Sequence, residues 1–212
     1  MNTIAILGAG KLGVVLAQLG LGAGYTVKVA GSGDPSKIEL TMSVLAPGSE
    51  VGRAEEVIPG ADAVILALPL GKFRNLPAEM LKDTLVIDAM NYWWEVDGRS
   101  LNPEELLPSS SEFVQRELGL KRVVKAFNHM GYHDLADHSL PPGAPARLAM
   151  AVAGDSPKDV RAAAELVDSF GFDPVPLGSL HQGKVLEPGQ PGFGAALPKD
   201  RLQELLGVEG EH

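Results

Sequence analysis

Residues 8–13 read Gly8-Ala9-Gly10-Lys11-Leu12-Gly13, glycines in GxGxxG spacing directly after the apolar run Ile4–Leu7. A helical pattern follows at once, with Leu12, Val15, Leu16 and Leu19 on one face. In a strand–turn–helix context this spacing binds a dinucleotide. The first glycine allows the tight turn, the second lets backbone approach the pyrophosphate, and the third lets helix and strand pack closely. The helix N-terminus adds N–H donors and partial positive charge. The end of the next strand bears on which dinucleotide. NAD-binding chains place Asp or Glu about 20 residues past the loop, on the ribose 2′-OH. Here the strand ends Ala30-Gly31-Ser32, and no carboxylate follows before Asp34. That end leaves room for a 2′-phosphate, with Ser32 as donor and Lys37 as a charge one turn into the next helix. NADP(H) is the expected cofactor. Asp34 reads either as a helix cap or as a displaced NAD-type acid.

Other residues with chemical capacity follow later strands. Asn91 and Asn128 offer amide donors and acceptors, against the plainer role of capping loops. His129 adjoins Asn128 and is a candidate active-site residue. Residues 129–138, HMGYHDLADH, space His129, His133 and His138 among Asp134 and Asp137. A zinc site would need helical continuity, but Gly131 interrupts the first pair, so solvated histidines and no metal are expected. Of Trp93 and Trp94, one is expected in the core and the other against a flat-ring pocket.

The elements that must position these groups are short continuous apolar runs alternating with amphipathic segments. Strand-like runs are 4–7, 26–30, 63–68, 85–88, 122–127, 148–153 and 174–177. Continuity, rather than alternation, marks strands covered on both faces. Pro35 and Ser156-Pro157 open helices, Ser109 with Glu112 has capping-box spacing, and Gly119 and Gly171 close helices. The rhythm predicts an α/β fold of Rossmann type, a doubly wound, mostly parallel sheet over residues 1–178. Residues 179–212, rich in Gly and Pro with one short helix expected at 199–206, are too few to fold alone. They are expected to lie as a C-terminal tail over the sheet domain or a second subunit.

Composition narrows the functions. The 212-residue chain has no cysteine, which removes thiolate catalysis and disulfides. A net charge of −9 argues against nucleic-acid binding. No apolar stretch is long enough to span a bilayer, and the N-terminus reads as a strand; a cytoplasmic location is expected.

Beyond the glycine loop, the strings AGSGDPSK, VILALPLGKF, LVIDAMNYW, VVKAFNHM and the GSL at 178–180 resemble one group. It is the family of NADPH-dependent reductases of the deazaflavin coenzyme F-420, which shares its fold with the oxidoreductase domain of metalloreductases. In that family a Gly-Ser-Arg triplet and a downstream lysine grip the 2′-phosphate. Ser32 and Lys37 match, while Gly33 stands at the arginine position, implying a weaker grip that Lys11 would partly restore. The resemblance places Leu68 and Pro69 beneath the adenine ribose and pyrophosphate. It sets Asp88-Ala89-Met90-Asn91 and Ala126-Phe127-Asn128-His129 beside the nicotinamide.

Hydride exchange between two cofactors needs stacked rings and orientation, not a side-chain base. The expected activity is therefore hydride transfer between NADP(H) and a deazaflavin (coenzyme F-420) or flavin-like acceptor. Both are small-molecule partners, and a homodimer is expected because the short tail leaves one side of the cleft open. The 179–212 tail is expected to cover the acceptor site of its own or a neighbouring subunit, so that truncation after Gly178 preserves NADPH affinity and removes turnover. Three alternatives stand: a flavin and ferric-iron reductase, a small-substrate dehydrogenase using Lys184, His181 or His129 as base, and a cofactor-sensing module without turnover.

Overall fold

The computed structural model describes residues 1–97 and 101–208. Eight strands form one sheet: β1 (Thr3–Leu7), β2 (Thr26–Ala30), β3 (Glu50–Val51), β4 (Ala63–Leu66), β5 (Leu85–Asp88), β6 (Val123–Lys125), β7 (Ala149–Gly154) and β8 (Asp173–Gly178). Their order is β3-β2-β1-β4-β5-β6-β7-β8. The first six run parallel, β7 is antiparallel to β6, and β8 is parallel to β7. The order reverses between β1 and β4, and open α/β sheets bind ligands at such a point. This is the doubly wound, mostly parallel sheet that the patterns predict.

Alternate residues of the strands serve opposite faces. Ile4, Ile6, Val29, Ile65 and Ile87 pack with Leu16 and Ala17 of the Lys11–Gly22 helix and with Leu166 and Phe170 at the end of the Pro157–Ser169 helix. Ala5, Leu7, Val64, Leu66 and Val86 face Phe73, Leu81, Phe113 and Val114. Each large aliphatic side chain enclosed this way contributes about 1.5–3 kcal/mol. The caps follow the sequence: the Ser109 hydroxyl accepts from Glu112 N–H, the Ser156 side chain from Asp159 N–H, and Gly119 ends its helix at φ 63°.

Three departures from the pattern bear on the site. β3 is only two residues long, too short for any periodicity. β4 stops at Leu66 and β6 at Lys125, two residues before the apolar runs end. At the latter place Phe127, fully buried, adopts φ 63°, a left-handed conformation that turns the chain out of the ladder. After β4 the chain passes into Ala67-Leu68-Pro69, which lines a cleft, as loops carry the groups that strands position.

Residues 179–208 lie against the far end of the same sheet. Leu186 and Leu202 are fully buried with Ala149, Ala151, Ala153, Val175 and Leu177. Ala149 N–H donates to Leu197 O at 2.8 Å, and Gly194 N–H to His129 O at 2.7 Å. Among the described residues, no helix is long and apolar enough to cross a membrane.

Candidate functional site

The glycine loop is built as a close approach of backbones. A Cβ on Gly8, whose φ is 124°, would sit 2.1 Å from Ala67 O, and one on Gly13 would sit 1.8 Å from Gly8 O. Neither position tolerates a side chain. Gly10 is different: nothing lies within 4 Å of a Cβ placed there, so the space it leaves belongs to the cleft. The helix that follows makes its first backbone bond from Val14 N–H to Gly10 O, leaving the N–H groups of its first turn for a ligand. No acidic residue occupies that turn.

Beside the loop runs a cleft of about 590 Å³. Gly8, Ala9, Gly10, Ser32, Leu68 and Pro69 all line it, as do Gly31 and Gly33. The far end holds residues that sequence reasoning missed. Arg53, two residues past the edge strand β3, and Lys72, in the turn after β4, both line the cleft. The Asp34 carboxyl is held below the usual range chiefly by the hydrogen bond from Ser36 N–H, with Arg53 and Lys37 both near enough to contribute. That bond, 3.0 Å to Asp34 Oδ1, makes Asp34 a helix cap. Shape and donors therefore fit a dinucleotide with an anionic group at the Ser32 end. A volume of this size is usual for a cofactor site.

Two expected charges do not line the cleft. Lys37 is exposed and is not among the cleft residues. The Lys11 amine donates to Tyr132 OH at 3.0 Å and lies 5.2 Å from that ring's centroid. It braces the 132–137 helix instead of facing the 2′-phosphate end. Leu12 and Gly13 sit in the helix behind the loop.

The second group of residues gathers where β5 and β6 end. Asn91 Nδ2 donates to Asn128 O at 2.7 Å, and Asn128 Nδ2 donates to Asn91 Oδ1 at 3.1 Å and to Leu186 O at 2.8 Å. The two amides thus clasp one another and hold the tail. Met90 and Ala126 are enclosed, and the Met90 N–H and carbonyl are taken by Asp88 and Lys125. Asn128 is nearly enclosed, and its Oδ1 is a buried acceptor with no partner among the described residues. None of these five residues, counting His129, lines the 590 Å³ cleft.

His129 requires a correction. Its ring is fully buried, and Nε2 accepts from Ala151 N–H at 3.0 Å. Burial pushes its pKa down to about 4, with the Ala195 backbone opposing that in part. It is a neutral brace between the 126–131 turn and β7, with no surface to offer a substrate. The tryptophans also depart from expectation: neither is in the core, Trp93 being 42% and Trp94 58% exposed. Trp93 meets Phe193 of the tail edge-to-face, with centroids 5.4 Å apart. Among the described residues, no three His, Asp or Glu side chains are grouped to hold a metal. His181 Nδ1 lies 3.1 Å from Glu112 Oε2 at the surface.

Residues 3–92 match the family described as "NADP oxidoreductase coenzyme F420-dependent". The crystal structure of the hypothetical protein SMa0349 from Sinorhizobium meliloti is 30% identical, with a TM-score of 0.79, over 94% of this chain and 97% of that one. The chain belongs to this family. Membership places it among NADP-linked oxidoreductases. A structure from Arthrobacter sp. FB24 described as an F-420-dependent NADP reductase is 23% identical over 85% of this chain and 86% of that one, with a TM-score of 0.69. An imine reductase from Myxococcus stipitatus in complex with NADP⁺ is 16% identical, with a TM-score of 0.59, over 83% of this chain but 55% of its own length. These two likenesses concern the fold. The Escherichia coli (strain K12) protein YjhV is 45% identical over 60 residues, which span 28% of this chain and 44% of that protein.

Proposed function

We propose that this oxidoreductase transfers a hydride between NADP(H) and a second planar carrier, a deazaflavin such as coenzyme F-420 or a flavin. The observation that carries the reading is the pairing of a backbone-built nucleotide cleft with a separate amide clasp at the ends of β5 and β6. The nearest histidine, His129, is buried and neutral beside that clasp. A site arranged in this way orients rings instead of moving protons. When bound, NADPH supplies the hydride. The chain's residues do the rest. Gly8, Gly10 and the first turn of the 11–22 helix take the pyrophosphate. Ser32 and Arg53 take the 2′-phosphate, Leu68 and Pro69 underlie the ribose, and Asn91 and Asn128 fix the two loops against which the rings meet. Residues 179–208 cover the acceptor side, anchored through Leu186 and Gly194. A homodimer working in the cytoplasm belongs to the same proposal, and light scattering checks the dimer.

The test is anaerobic NADPH oxidation with a deazaflavin, FMN, FAD or no acceptor. Oxidation that depends on one of these carriers is the expected result. Oxidation at one rate in all four conditions, or none in any, contradicts the proposal.

A further inference from the structure

Lys125, the last residue of β6, is fully enclosed. Enclosing an ammonium is costly unless it is paired and hydrogen-bonded. Its Nζ lies 3.0 Å from Ser111 Oγ, 3.3 Å from Ser110 Oγ, 3.3 Å from Met90 O and 3.4 Å from Asp88 Oδ2. An ammonium carries three protons, and here four acceptors share them. Asp88 is held in turn by Ser111 Oγ–H at 2.5 Å and Met90 N–H at 2.9 Å. Ser110 extends the chain outward: its hydroxyl donates to Glu187 Oε1 at 2.6 Å and its N–H donates to the same oxygen at 2.7 Å. One buried cation therefore joins the 88–91 loop, the start of the 110–118 helix and, through Ser110, the tail. The tail also lies directly on the lysine stem, since a Cβ at Gly183 would sit 3.1 Å from Lys125 Cδ.

We propose that Lys125 is a positioning residue that sets the tail and the Asn91 loop in register through Ser110 and Glu187. The purpose of that register, presenting the acceptor side to the nicotinamide, rests on the function proposed above. The simpler role for Lys125 is neutralising buried Asp88. Under that role the Ser110–Glu187 hydrogen bonds only fasten the tail, and loosening them leaves kcat with the acceptor unchanged.

Glu187→Gln is the decisive variant because it weakens the outer end of the chain and leaves Lys125 and Asp88 intact. Gly183→Ala, which crowds the lysine stem and Ala153, is the second. Three readouts are needed: amide hydrogen exchange over residues 184–194, tryptophan emission, and steady-state kinetics. Emission is informative because the chain's two tryptophans are Trp93 and Trp94, and Trp93 touches Phe193 of the tail. A hydrogen bond to a charged group is worth about a tenfold change in such an equilibrium. Both variants are expected to raise exchange over 184–194 by about that factor, shift the emission, and lower kcat with the acceptor. The Kd for NADPH is expected to stay within about twofold, since the glycine loop is untouched. Unchanged exchange and emission in both variants overturn the proposal. Altered exchange with unchanged kcat also overturns it, because the contact is then a structural fastening only. If the wild type turns over no carrier, the proposed function fails, while exchange and emission still decide whether Lys125 registers the tail.

Discussion

The two ends of this site are made of different material. The nucleotide end is backbone: three glycines, the first turn of a helix and the peptide edge of Ala67. The end proposed for the acceptor is side chain: two clasped amides, a buried lysine, a neutral histidine and a tail laid over them. The glycine turn of the first is specified within eleven consecutive residues, because a turn between one strand and one helix sets its geometry, and Ala67 meets it through the β1–β4 pairing. The second draws on four separate segments and exists only once β5, β6, β7 and the tail are assembled. Local sequence can encode the first; only the tertiary fold defines the second. Substitutions at the two ends should therefore fail in different ways, and the following outcomes measure that difference.

The largest effects belong to the glycine loop. Gly13→Val places side-chain atoms against Gly8 O, where even a Cβ would be 1.8 Å away. It is expected to destabilise the fold by several kcal/mol, about 3 or more, as judged by chemical denaturation. Gly10→Val, with open space around it, should leave the melting temperature nearly unchanged. It should abolish nucleotide binding in titration calorimetry, because its side chain fills the path to the pyrophosphate. A Gly10 variant that binds like wild type would mean the loop does not hold the nucleotide.

His129 gives the next effect, on the acceptor side and on stability. Its folded pKa of about 4 lies below the unfolded value of 6.5. Between these values the unfolded chain binds a proton that the native chain does not, so stability falls as pH is lowered through that window. The loss should total about 3 kcal/mol and be complete near pH 4. His129→Gln keeps an acceptor for Ala151 N–H and should flatten the dependence between pH 4 and 6.5. Carboxylates such as Asp159, lowered chiefly by the Arg122 hydrogen bond, contribute below that window. Denaturation midpoints at half-unit pH steps check this.

Arg53→Ala should weaken NADPH binding by about 1.5–3 kcal/mol, the worth of a hydrogen bond to a charged group, and leave NADH binding unchanged. Equal loss for both nucleotides would place Arg53 away from the 2′-phosphate. Lys37→Ala is the smallest expected effect, within about 0.5 kcal/mol as for an exposed substitution away from any special contact. A larger loss there would restore the reading taken from the family pattern.

These outcomes also show what the sequence could reveal. The sheet and the glycine loop were legible because periodicity and turn chemistry are local signals. Arg53 was not, because it follows a two-residue edge strand and reaches the cleft only through the β2–β3 pairing. Lys125 stood in a string that resembles the family, yet a lysine at a strand end ordinarily reads as solvated. Its burial comes from Gly183, 58 positions away, and from the start of the 110–118 helix. His129 misled in the opposite direction: adjacency to Asn128 suggested a shared surface, but the left-handed turn at Phe127 sends the imidazole inward. The tail was expected as a removable cover. Leu186 and Leu202 instead complete the core beside β7, so truncation after Gly178 would bare Ala149, Ala151 and Val175 and report on folding, not on acceptor access.

The most direct measurement follows the hydride itself. NADPH deuterated at the transferable C4 position is mixed with the protein and a deazaflavin, whose reduced ring carbon retains the hydrogen it receives. Direct ring-to-ring transfer predicts deuterium on the reduced carrier and a slowed single turnover. Reduced carrier bearing only solvent hydrogen, with no isotope effect, would contradict the account.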